Sequence, residues 1–223
     1  MTLTLIITIA TVGISLLAMN NQTLMDKCIF HPYSIAKDPS QWYRAVTCGF
    51  IHADIPHLAF NMFSFYMFGD LVEQYFMLLF VVMGHILYIL FYVSALVACI
   101  IPTYFRYQKK YNYFSLGASG AVSAIVFAGI FLEPKLPIGI IFIPVFIPGF
   151  LFGPIYLALT IYLSKKGNGN INHSAHLWGS LYGIVFLILA SKVFGIEGAS
   201  DVLGNFIDQV SIYINQLRTN FGK

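Results

Sequence analysis

Apolar stretches of membrane-helix length alternate along the chain with short polar connections, and six can be read. Met1 to Met25 holds no charged residue. Within it Leu3 to Met19, at about 1.5 Å per residue, approaches the roughly 30 Å hydrocarbon depth of a bilayer. A signal peptide would carry a basic n-region, which is missing, so the stretch reads as an uncleaved first span. Asn20 to Phe50 is more polar, with Asp26, Lys27, Lys37, Asp38, Arg44, Pro32 and Pro39. Its Gln41-Trp42-Tyr43-Arg44 tract suits the headgroup level, where Trp and Tyr collect and Arg snorkels.

The second span is placed at Pro56 to Glu73, with Gly69-Asp70-Leu71-Val72-Glu73 as a tight acidic connection. It carries His57 and Asn61, four apart and therefore on one helix face. Polar groups there need an inward-facing role in lipid, either a site or interhelical hydrogen bonding. Phe76 to Ile101 is the third span, stopped by Pro102, and its His85 is read as a hydrogen-bonded packing histidine. After a loop with Arg106, Lys109 and Lys110, the stretch Ser115-Leu116-Gly117-Ala118-Ser119-Gly120-Ala121-Val122-Ser123 opens the fourth, which runs to Leu132. Leu136 to Leu163 reads as a fifth span bent by Pro144, Pro148 and Pro154. A linker at Lys165 to Asn170 leads to the sixth, Ile171 to Ser191.

In the tail, Val202, Leu203, Phe206, Ile207, Val210, Tyr213, Ile214 and Leu217 recur at helical spacing opposite Asp201, Asn205, Asp208, Gln209 and Arg218. This predicts an amphipathic helix on the membrane surface or against a partner. The expected architecture is an all-α membrane protein, a six-transmembrane-helix bundle over 1–195 followed by a C-terminal amphipathic helix within 196–223.

Composition agrees with lipid as the solvent: 58% of residues are hydrophobic and 9% charged, against roughly 25% charged in soluble domains. The three cysteines, Cys28, Cys48 and Cys99, are odd in number and dispersed, so no disulfide framework or CxxC motif is read. The net charge of +3 is scattered, and without a basic block nucleic acid is excluded as a partner. A metal enzyme using His52, His57, His173 and His176 would lack both an HExxH motif and a carboxylate ligand. Paired broken helices of a two-repeat transporter are not visible.

Alternating chain direction puts the N-terminal ends of spans two, four and six on one side of the membrane. Those ends carry His57 and Asn61, then Ser119, then His173 and His176, so three polar groups face one another at one depth. His176, Gly179, Ser180 and Gly183 share one face of span six, and Gly179-x3-Gly183 permits close approach to the small residues Gly117, Gly120, Ala121, Ser123 and Ala124 of span four. That packing brings His176 towards Ser119, where it can act as the base that a hydroxyl nucleophile needs. The amide of Ser119 at a helix start, with Asn61 and His57, is suited to bind an oxyanion. No carboxylate has a clear claim as a third member, Asp54 included.

His52-x4-His57-x3-Asn61-Met62, Gly69-x3-Glu73, Gly117-Ala118-Ser119-Gly120 and Ala175-His176-x2-Gly179-x3-Gly183, in this order, make the chain resemble the rhomboid intramembrane serine proteases from Trp42 to Gly183. The resemblance implies a Ser119/His176 dyad, with His57, Asn61, Gly117 and Ala118 in the oxyanion and substrate-binding region. Trp42 and Arg44 would belong to an interfacial loop. It further implies a single-span transmembrane substrate in the lipid bilayer, cut near small residues, with no cofactor, metal or nucleotide. The oligomeric state is left open. Position 123 departs from the pattern: it is serine, where a tyrosine stacking on the catalytic histidine is common, and Tyr113, Tyr182 and Trp178 are the candidates to replace it.

The family likeness implies a bacterial inner (plasma) membrane with the active site on the extracytoplasmic side. Eight of the 12 basic residues (Lys27, Lys37, Arg44, Arg106, Lys109, Lys110, Lys165 and Lys166) sit on that side, which opposes the positive-inside rule. The alternative in another class is a non-catalytic relative that binds and routes membrane proteins; such proteins typically lack the nucleophile or the base, and this chain has both.

Overall fold

Short polar side chains and prolines start the helices. Thr2 caps α1 (Leu3–Met19), Asn21 caps α2 (Gln22–Cys28), and Pro32 opens α3 (Pro32–Lys37). The Asp54 carboxylate accepts the His57 amide at 2.7 Å at the head of α5 (Ile55–Phe80), and Asn172 accepts the Ala175 amide at 3.1 Å at the head of α10 (His173–Phe194). These belong to a computed structural model that describes residues 1–140, 143–166, 172–195 and 201–221. Its other helices are α4 (Arg44–Thr47), α6 (Gly84–Ala98), α7 (Ile101–Tyr107), α8 (Ser119–Leu132), α9 (Gly149–Lys166) and α11 (Val202–Phe221).

At the centre is α8, whose residues are nearly all buried and which touches α5, α6, α9, α10 and α11. Its closest neighbour is α10. A Cβ on Gly179 would run into the Gly120 carbonyl, and one on Gly183 into that of Ala124, so both positions require glycine if the backbones are to meet. Phe65, Phe76, Tyr88, Phe91 and Tyr92 fill the space between α5 and α6.

By length and hydropathy, the continuous stretch Ile55–Tyr107 and the helix His173–Phe194 suffice to cross a membrane, while α1, α8 and α9 are apolar but shorter.

The second span is longer than the pattern suggests. Helix α5 continues through the acidic Gly69–Glu73 segment to Phe80 and ends where Val81 takes a positive φ of 44°. Glu73 is not in an exposed connection but is buried against the start of α1, accepting the Leu3 and Thr4 amides at 2.8 Å each and the Thr4 hydroxyl at 2.7 Å. A carboxylate there compensates the unpaired amides and positive dipole end of α1. His85 is exposed on α6 and not a buried packing residue.

The helix of the fifth apolar stretch is shorter than expected. Residues of 136–148 form an antiparallel hairpin, β1 (Pro137–Ile140) with β2 (Ile143–Pro148), pairing Ile138 with Ile147 and Gly139 with Phe146. Ile143 and Ile147 each precede a proline, which disfavours helical backbone, and β-branched residues favour strands. Of Pro144, Pro148 and Pro154, only Pro154 lies inside α9. Helix α9 includes Lys165 and Lys166 of the expected linker; the rest of that linker, and the 196–200 join to the tail, lie outside the described residues.

Helix α11 turns only part of its apolar face inward, and Leu203, Ile207, Ile214 and Leu217 stay exposed. Val202 is buried, Phe206 stacks on Phe131 of α8 at 4.4 Å, and Tyr213 meets Phe150 of α9 edge-on.

Candidate active site

The nucleophile candidate is held from the interfacial loop. Phe30 and Ser115 exchange both backbone hydrogen bonds (3.0 and 3.1 Å), and the Gly117 amide donates to the Cys48 carbonyl at 2.9 Å. Arg44 braces that loop, its Nη1 donating to the carbonyls of Asp26 (2.6 Å) and Ile29 (2.9 Å). Trp42 lies against Tyr104 of α7, with ring centres 4.9 Å apart. The chain turns into α8 through Gly117, whose φ of +106° favours glycine; a Cβ there would also lie 2.8 Å from His57 Cε1.

Ser119 is the first residue of α8, and its Oγ is 2.7 Å from His176 Nε2. Both are partly exposed to a cavity of about 1330 Å³ that also reaches His57, Asn61, Gly117 and Ser123 and extends to Phe146 of the hairpin. The amides of Ser119 and Gly120 lie in the first turn of α8, where helix geometry leaves N–H groups unpaired and the dipole is positive. Asn61 Nδ2 donates to the His57 carbonyl at 3.0 Å, which leaves its second amide proton for the cavity. Ala118 is placed differently from the other predicted residues: it is fully buried, and its amide points to His52 Nε2 at 3.4 Å.

His52 is a supporting residue that the sequence pattern left without a role. Its Nδ1 is 2.9 Å from Ser15 Oγ, which donates its own proton to the Phe50 carbonyl at 2.8 Å. Ser15 therefore accepts from Nδ1–H, and Nε2 is left with the lone pair that receives the Ala118 amide. Burial, aided by the nearby His57, pushes His52 down to about 4, consistent with a neutral ring.

None of the three aromatic candidates touches His176. Tyr113 stacks on Tyr107 at 3.8 Å, Tyr182 donates to Ser94 at 2.6 Å, and Trp178 faces outward. The residue in place is Tyr156 of α9, whose hydroxyl is 3.3 Å from His176 Nδ1 and 3.2 Å from Ser123 Oγ. Sequence spacing holds no signal for it, because it arrives from a different helix. Asp54 caps α5 and is not part of the pair. Among the described residues no three His, Cys, Asp or Glu side chains form a metal-ligating group.

A mostly helical integral membrane protein with a serine–histidine pair at a helix start is the class that fold and site define. Residues 39–193 match the Rhomboid domain model. The chain belongs to the Rhomboid family. It is 32% identical over 151 residues to RHOMBOID-like protein 12, mitochondrial, of Arabidopsis thaliana (62% of this chain, 43% of the relative), and 28% identical over 158 residues to Rhomboid-like protein 11, chloroplastic, of the same plant (68% and 53%). It is also 26% identical over 163 residues to YdcA of Bacillus subtilis (strain 168), a protein provisionally named a rhomboid protease (70% and 71%). The chain thus spans about half the length of the plant relatives it matches. With organellar and bacterial relatives alike, membership does not support the bacterial inner membrane in particular.

Proposed function

We propose that this protein is an intramembrane serine endopeptidase that cleaves transmembrane segments of membrane proteins through a Ser119/His176 dyad. The observation that carries the reading is the 2.7 Å Ser119 Oγ to His176 Nε2 contact at the wall of a cavity that His57 and Asn61 also line. Ser119 Oγ attacks the scissile carbonyl carbon as Nε2 takes its proton. The resulting oxyanion is bound by the Ser119 amide with Asn61 and His57, each donor contributing on the order of 10²–10³ in rate. Collapse breaks the C–N bond as His176 returns the proton to the leaving amine. Water then attacks the acyl ester, its proton passing through Nε2 to Ser119 Oγ.

Six spans, α1, α5, α6, α8, α9 and α10, are part of the same reading, with 1–195 as the protease unit and 196–223 as the tail. With 14 residues, α8 is only about 21 Å long, so a helix anchored at the far interface would leave Ser119 roughly 9 Å below the near one. A substrate helix must unwind to reach it, which favours segments with small residues. The site ends face the extracytoplasmic side in this reading, and neither metal nor nucleotide takes part.

The test is cleavage of a single-span substrate with small residues near one end, comparing the purified protein with Ser119→Ala and His176→Ala. Loss of cleavage and of fluorophosphonate labelling in both variants, with chelators inert, is the expected result. An unmodified protein that neither cleaves several such substrates nor reacts with the probe would overturn it in favour of the binding-only reading.

A further inference from the structure

Four hydrogen bonds close a ring around the serine–histidine pair. Ser119 Oγ meets His176 Nε2 at 2.7 Å, and His176 Nδ1 meets the Tyr156 hydroxyl at 3.3 Å. The Tyr156 hydroxyl meets Ser123 Oγ at 3.2 Å, and Ser123 Oγ donates to the Ser119 carbonyl at 2.9 Å. A hydroxyl has one proton to give. Ser123 has committed its proton to the carbonyl, so its contact with Tyr156 holds a hydrogen only if Tyr156 donates. Tyr156 must then accept from His176, which places the imidazole proton on Nδ1. Nε2 is left with its lone pair towards Ser119 Oγ–H, the form a general base requires. The opposite tautomer would turn Nε2–H at the nucleophile and leave the Tyr156–Ser123 contact without a hydrogen.

We propose that Tyr156 is the positioning residue for His176, selecting the proton-accepting tautomer with Ser123 as its anchor. The inference rests on the dyad reading above and adds a residue from a helix that contributes no reacting group. It also explains serine at position 123: a large side chain there would occupy the space through which Tyr156 reaches the imidazole. As His176 takes up the serine proton, Nδ1–H becomes a charge-assisted donor and the Tyr156 bond strengthens, so its contribution falls mainly on the chemical step. Because Tyr156 is carried by α9, displacing α9 from α10 would release the ring and the tautomer together.

The experiment uses the full-length protein in micelles, labelled with 15N-histidine, with His176→Gln identifying the His176 resonances. Tyr156→Phe retains the ring that packs on Phe127 and Phe152, so folding is preserved. The unmodified protein is expected to show Nδ1–H, and Tyr156→Phe a mixture of tautomers with kcat about tenfold lower and KM unchanged. Ser123→Ala should move both readouts the same way, Ser123→Thr should restore them, and adding Ser123→Ala to Tyr156→Phe should cost nothing more. An unchanged tautomer in Tyr156→Phe, a loss confined to KM, or additive effects would overturn the assignment. The tautomer is read without turnover, so it decides the role of Tyr156 even if the protein cleaves nothing, the outcome that would sink the dyad reading instead.

Discussion

Gly179→Ala tests whether close approach of α8 and α10 sets the distance between serine and histidine. The new Cβ would overlap the Gly120 carbonyl oxygen and lie 2.8 Å from its carbon and 3.2 Å from Gly120 Cα. Carbon contacts favour roughly 3.5–4.0 Å, so the two backbones must part by about 1 Å. His176 is one helical turn before Gly179, and a shift of that size would stretch the 2.7 Å contact with Ser119 beyond hydrogen-bonding range. Overpacking of this kind costs about 1–3 kcal/mol, and misplacement by about 1 Å costs roughly 100-fold in rate, near 2.7 kcal/mol of barrier. Fluorophosphonate labelling and unfolding in micelles measure the two effects separately. The control is Gly13→Ala on α1, where a Cβ meets nothing within 4 Å, so labelling should match the unmodified protein and stability should be higher by up to about 1 kcal/mol. Unmodified labelling and stability in Gly179→Ala would refute the idea that glycine contact fixes the pair.

Glu73→Ala removes the buried carboxylate that accepts from Leu3, Thr4 and the Thr4 hydroxyl. Unfolding should become easier by about 2 kcal/mol, and exchange of the α1 amides should accelerate; unaltered exchange would show that α1 holds without it. Cysteines replacing Met67 on α5 and Phe152 on α9, which line the same cavity, joined by a bifunctional thiol reagent in a Cys28→Ser background, should stop cleavage of transmembrane substrates while a small fluorophosphonate still labels Ser119. Undiminished cleavage after cross-linking would rule out substrate access between α5 and α9.

What could be read from the sequence followed from local rules. Gly179 and Gly183 needed only helical periodicity to be placed on the face of His176, and chain alternation was enough to bring the starts of spans two, four and six together. Reading failed where polarity or prolines were given a generic meaning. Glu73 looked like a surface residue because a buried carboxylate makes sense only once the α1 start is seen beside it. The prolines of the fifth stretch looked like kinks because a strand and a kinked membrane helix share the same apolar composition. His52 and Tyr156 were out of reach for a different reason: each meets partners on other elements twenty or more positions away, Ser15 and Ala118 for the first, His176 and Ser123 for the second.

The character of α8 explains why such distant support is needed. Among its 14 residues α8 has the small Gly120, Ala121, Ser123, Ala124, Ala128 and Gly129, and at these positions neighbours come close to its backbone. That same smallness keeps its start open, so unpaired amides can face the cavity next to Ser119. The cost is that no bulky side chain on α8 stands beside Ser119 to orient His176. In the proposed reading orientation is supplied from outside, by Tyr156 across the cavity from α9, while His52 supports the Ala118 amide. A site built in this way joins chemistry to helix packing, because moving α9 or α10 by about 1 Å alters the serine–histidine contact before any reacting residue has changed.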